Sequence, residues 1–121
     1  TYADGNITAY YSDERLKDKK GKIENALDKV SQIETFYFKE NELARSLGYK
    51  NDKMQVGVSA QSVKEVLPEI VSLAPFDTNA ETKESKSGKD YMTVDYAKLT
   101  PLLIEAIKEL KVEIKKLKVS K

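Results

Sequence analysis

The chain contains no cysteine and no histidine. Without cysteine there is no disulfide framework and no thiolate nucleophile. Without histidine the commonest general base and the commonest metal ligand are both missing. Zinc sites, Ser-His-Asp triads and Cys-His dyads are therefore excluded by inventory, and no metal or cofactor is expected. Tryptophan is absent and phenylalanine occurs three times, so large aromatic anchors are few. No apolar run approaches the ~20 residues that a membrane-spanning helix needs. No signal-peptide pattern opens the chain. Charge of one sign is not in excess: 21 Lys and Arg stand against 20 Asp and Glu, for a formal +1. Such a balance supplies no global field for nucleic acid or an acidic membrane, and neither is expected as a partner.

What remains is 121 residues, room for one modest domain. A hydrophobic fraction of 40% argues against disorder of the whole chain. A charged fraction of 34% fits long exposed helices. Position 1 is Thr rather than Met, which reads as a piece of a longer polypeptide.

Residues 1–11 predict a turn at Asp4-Gly5-Asn6 and a strand of β formers at Ile7, Thr8, Tyr10 and Tyr11. Residues 12–22 are polar and charged. Ile23, Ala26, Leu27, Val30 and Ile33 follow helical spacing, predicting a helix over 22–33. Phe36 and Phe38 alternate with polar neighbours as in a strand. A short helix is expected around Leu43 and Leu47, closed by Gly48. Val56-Gly57-Val58 reads as a short buried strand, and 62–70 as a short helix ended near Pro68. Residues 77–90 hold no large apolar side chain and predict a mobile loop or a long solvated hairpin tip. A returning strand is expected at 91–95. A long helix should then run from Thr100, its N-cap, through Pro101 to the end.

The last helix carries the clearest periodicity. Leu103, Ile107, Leu110, Ile114 and Leu117 are spaced four, three, four, three. That is a heptad seam with Ile at a and Leu at d, and Glu113 and Lys118 fall at g and e. The stripe suits partner helices. An ordinary amphipathic helix packing on its own domain fits as well, because the pattern lasts little more than two heptads. Ile at a with Leu at d leans toward two strands, so the seam alone does not specify a trimer.

Ser12-Asp13-Glu14-Arg15-Leu16-Lys17 resembles the S-D-x-R-L-K opening of the endosialidase-type intramolecular chaperone domains, a self-cleaving peptidase family. Further blocks follow in that family's order: Ala26-Leu27-Asp28-Lys29-Val30, then Phe36-Tyr37-Phe38, then Val56-Gly57-Val58-Ser59-Ala60-Gln61 with Val63-Lys64-Glu65-Val66-Leu67-Pro68-Glu69. Val94-Asp95-Tyr96 and Leu99 lead into Leu103-Ile104-Glu105-Ala106-Ile107-Lys108-Glu109-Leu110. Ser62 departs from the pattern, where the family often has Glu; the position looks structural. The resemblance implies an α+β fold, predominantly helical, with short strands and a long C-terminal helix forming a trimeric coiled coil. It implies a homotrimer at the end of a phage tail fibre, tailspike or neck appendage. In that scheme residues 1–11 are the end of the client stalk, and 12–121 are the chaperone and cleavage domain. The domain would act in the bacterial host cytoplasm during phage assembly and be absent from the mature fibre.

The resemblance also implies a Ser12–Lys17 dyad that cuts the bond between Tyr11 and Ser12 once, in cis. Lys17 must be neutral to accept a proton, whereas a free lysine titrates near ~10.4. Burial or the nearby cations Arg15, Lys19 and Lys20 would have to lower it. Five steps along a helix turn ~500°, which puts the two side chains on different faces. The segment must therefore turn between them, or Lys17 must come from another subunit. Read from spacing alone, Ser12 or Asp13 is a helix N-cap for residues 14–20. Two other functions fit parts of the chain. One is an interaction module that trimerises without cutting; the other is a nucleic-acid or adaptor protein using the Lys-rich ends, Lys17–Lys22 and Lys108–Lys121, whose alternation with Asp and Glu reads as a solvated face.

Overall fold

The computed structural model describes residues 12–119; the strand expected within residues 1–11 and Tyr11 of the expected cleavage bond lie outside the described residues. Eight regular elements follow in chain order: α1 (Ala26–Ser31), β1 (Thr35–Phe38), α2 (Glu42–Ser46), β2 (Gln55–Val58), α3 (Ala60–Val66), β3 (Val71–Leu73), β4 (Met92–Val94) and α4 (Leu99–Val119). Tight 3-10 turns lie at Glu14–Leu16, Pro68–Ile70, Pro75–Asp77 and Tyr96–Lys98. The chain is thus α+β, with short strands and one long C-terminal helix, as expected.

Local chemistry sets the boundaries. α1 starts four residues later than its apolar spacing suggests, because Asn25 sits in the left-handed region at φ 55° and the helix cannot pass through it. Asn41 caps α2 by accepting the Ala44 N–H, and Leu47 closes that helix ahead of Gly48 at φ 104°. Ser59 caps α3 through the Ser62 N–H. Leu67 precedes Pro68 and leaves helical geometry, so α3 stops at Val66. α4 follows directly on the turn Tyr96–Lys98; Thr100 therefore lies inside its first turn, and the expected N-cap is corrected.

The strands form two separate antiparallel pairs. In the first, Phe36 faces Gly57 and Tyr37 faces Val56. Gly57 is buried, and a Cβ there would stand 2.9 Å from a Phe38 ring carbon. The Tyr96 hydroxyl accepts the Val58 N–H at 3.2 Å and fastens this ribbon to the approach to α4. Tyr37 and Val56 remain 77% and 73% exposed, so the expected buried strand is buried at Gly57 only. A two-stranded ribbon covered on one face leaves the other bare. Ser62, the departure from the family pattern, is structural here: its hydroxyl accepts the Glu34 N–H at 3.0 Å and donates to the Ser59 carbonyl.

The second pair matches Val71 with Val94 and Leu73 with Met92. β3 has three residues, too few to show a period. Residues 77–90 form the tip of this hairpin, the second of the two expected forms. Asp77 organises it. Its carboxylate accepts the Ser85 hydroxyl at 2.6 Å, the Ser87 N–H at 2.8 Å and the Tyr91 N–H at 3.1 Å. These donors hold the buried carboxyl down at about 2, against a desolvation that opposes them. Phe76 packs between Tyr49 and Tyr91 at ring distances of 5.5 and 5.8 Å.

One apolar centre joins the ends of the chain. Ala26 of α1 and Leu102 and Ala106 of α4 are buried together, with Ile23, Leu27, Val30, Ile33, Leu67 and Leu99 around them. Leu102 is 0% exposed. Leu102→Ala is expected to cost ~2–5 kcal/mol of stability, read by urea unfolding. Asp77 makes a second test. Its folded pKa lies below its unfolded one, so its contribution is complete above the ordinary carboxylate range and is lost as pH falls toward about 2. Asp77→Asn should lower the melting temperature at pH 7 and flatten its decline between pH ~4 and ~2. An unchanged slope in that variant would show that the carboxylate does not organise the tip.

Candidate functional site

Ser12 and Lys17 flank the turn Glu14–Leu16. Asp13 caps that turn: its carboxylate accepts the Arg15 N–H at 2.9 Å and the Arg15 guanidinium at 2.7 Å. The guanidinium, and then the backbone N–H, hold Asp13 below the usual carboxylate range, and Arg15 is raised in return. The Lys17 N–H closes the turn on the Glu14 carbonyl at 3.0 Å. The capping expected from spacing is therefore real and belongs to Asp13, for a turn that ends at Leu16 rather than a helix to Lys20. The chain does turn between Ser12 and Lys17.

The structure does not join the two side chains by a hydrogen bond. Both residues are exposed. Among the described residues Lys17 makes no ion pair. The three cations expected to assist it are committed elsewhere: Arg15 to Asp13, Lys19 to Glu14 at 2.6 Å, and Lys20 to Asp18 at 2.8 Å. Residues 12–22 are exposed throughout, and among the described residues their hydrogen bonds stay within the segment. The arm carries the Ser12 hydroxyl and the Lys17 amine on either side of a turn, both exposed to solvent.

The second functional feature is α4, which has two apolar faces. Leu99, Leu102 and Ala106 face the domain's own core. The expected seam lies about a quarter turn away. Leu103, Ile107, Leu110, Ile114 and Leu117 are all exposed, Ile107 and Leu117 to 66%. From Lys111 to Val119 every residue is exposed, so the last ~13 Å of helix stands clear of the domain on all sides. The helix packs on its own domain through one face, and the heptad positions lie exposed on another.

Glu109 was not singled out in the sequence. Its carboxylate continues the inner stripe of α4 and reaches the start of α1, where Oε2 accepts the Ala26 N–H at 2.8 Å and Oε1 the Leu27 N–H at 2.9 Å. Asn25 makes no side-chain cap there, so Glu109 serves as the cap from 83 residues away. The Leu27 and Ala26 N–H groups hold Glu109 below the usual carboxylate range, helped by Lys22 and Lys29. An acidic residue one helical turn past Ala106, in line with buried positions, is the only signal that could have found it.

Comparison with known proteins places these features in a family. A peptidase-family model described as chaperone of endosialidase matches residues 12–72, from Ser12 into β3. The chain is 34% identical over 117 residues to the long tail fiber protein Gp37 of Enterobacteria phage Ox2, covering 94% of this chain and 42% of that protein. It is 36% identical over 106 residues to the protein of the same name from Enterobacteria phage K3, covering 88% of this chain and 8% of that one. The Gp37 protein of Enterobacteria phage M1 is 34% identical over 108 residues, with 38% of its length covered. The chain thus spans less than half of each of these relatives.

Proposed function

The chain belongs to the chaperone-of-endosialidase family, and from that premise we propose that residues 12–121 are the intramolecular chaperone of a phage long tail fibre. Three copies associate through α4, align the fibre segments that precede them, and then release themselves by cutting between Tyr11 and Ser12. The observation that carries this reading is the exposed heptad face. Leu103, Ile107, Leu110 and Ile114 stand in register on one side of α4 and favour partner helices, since fully burying such a side chain contributes up to ~1.5–3 kcal/mol.

Association explains why a fibre would carry such a module. Long β-rich stalks pair distant segments with weakly specified register and expose strand edges while they do so. Joining three chains at one end raises the effective concentration of the stalk ends to around millimolar. Removing the template afterwards makes unfolding a kinetic matter and traps the stalk in its folded form. The work would take place in the host cytoplasm, and the mature fibre would lack the domain.

In the cleavage step Ser12 Oγ attacks the carbonyl carbon of Tyr11 while Lys17 Nζ takes the hydroxyl proton. The tetrahedral intermediate collapses, the C–N bond to Ser12 breaks, and the amine leaves protonated. The resulting ester between Tyr11 and Ser12 Oγ is hydrolysed by water, which restores the hydroxyl and leaves Ser12 at a new N-terminus. A neutral Lys17 requires desolvation that the exposed arm does not have on one chain. Burial of the arm against a neighbouring protomer supplies it, so cutting waits for assembly.

Two experiments test the reading. Ser12→Ala and Lys17→Met should each leave the oligomer intact and abolish conversion to a chain starting at Ser12, read by intact mass. Processing of Ser12→Ala at that bond would end the dyad assignment; wild-type trimers that never convert would make the chain a non-cleaving trimerisation module. Ile107→Ser with Ile114→Ser alters exposed positions, so each single-chain fold should change by less than ~0.5 kcal/mol. The double variant should run as a monomer in light scattering and stay unprocessed. A wild-type chain that is monomeric at micromolar concentration would sink the proposal.

A further inference from the structure

Resting on the function proposed above, we infer that Glu109 is a positioning residue for cleavage, tying the assembling helix to the arm that bears Ser12. Among the described residues, Glu109 makes the only side-chain hydrogen bonds from α4 to another part of the chain, and both go to the first two residues of α1. On α4 it sits beside Leu110 and two residues from Ile107, on the core-facing side of the same rigid helix that carries the seam. Whatever fixes the seam fixes the carboxylate.

The other end of the tie is where the arm leaves the domain. Asn25, at φ 55°, turns the chain sharply just before the gripped N–H groups. Ile23 is the first residue of the arm's side packed on the core, and residues 12–22 are exposed with only internal hydrogen bonds. The direction of the arm is therefore set at 23–27, and Glu109 holds 26 and 27. Loss of the grip leaves two N–H groups without their acceptor and lets the first turn of α1 fray. The arm's anchor then loosens while the seam, on another face of α4, stays intact. Because a displacement of ~1 Å at reacting atoms can cost ~100-fold in rate, a loosened anchor slows cutting without preventing association.

The test uses the whole 121-residue chain. Oligomeric state, melting temperature and the rate of conversion to a chain starting at Ser12 are measured for wild type and two variants. Glu109→Gln keeps the side chain's size and replaces two acceptor oxygens by one. It should still assemble and should cleave about tenfold or more slowly at temperatures well below its melting point. The second variant inserts two glycines between Lys22 and Ile23, which lengthens the arm beyond its anchor and leaves both Glu109 hydrogen bonds and the seam untouched. It should assemble and melt like wild type yet cleave as slowly, an outcome that a purely stabilising role of Glu109 does not produce. If the insertion variant cleaves at the wild-type rate, or Glu109→Gln trimers do, the inference is overturned while the proposed function stands. Wild-type trimers that never cleave overturn both.

Discussion

The grip of Glu109 on the start of α1 is the interaction on which the arrangement of the chain depends. α1 has six residues and no local cap, too short to persist by itself. It exists because a carboxylate from α4 satisfies its first N–H groups and because Ala26 seals against Leu102 and Ala106. The two ends of the described chain are thereby joined at one point, with polar and apolar contacts reinforcing each other. The two ribbons are then attached to this centre by single ties, such as the Tyr96 hydroxyl on β2.

A small core follows from this plan. Among the described residues the buried apolar ones are Ala26, Val63, Ile70, Ala74, Leu102 and Ala106, of which three are alanines. Chains of this size usually bury well over half of the surface they expose when unfolded. Here much of the apolar inventory stays outside, on the seam of α4 and on the Tyr37–Val56 face.

The sequence was most legible where period and chemistry are local. The exposed heptad face of α4, the Phe36–Phe38 strand and the helix before Pro68 follow from spacing and proline rules, and the cap at Asp13 from capping rules, although the helix it was to open stops at Leu16. Boundaries moved where one residue's backbone overrode a pattern, as Asn25 did for α1. What could not be read was the meeting of distant polar groups. Asp77 looked like one more residue of a polar stretch, and Glu109 like one more charge on a solvated helix. Each became structural only when folding delivered backbone N–H groups to it, and neither carries a periodic signature.

The end of α4 runs past the domain's own packing, and its turns continue from a helix already nucleated on the core, so each further residue adds a bond without a new nucleus. Val112, Ile114 and Val119 are exposed there beside Lys115, Lys116 and Lys118. The lysine heads keep this apolar ridge hydrated while their stems lie along it, so the projection is at once greasy and soluble.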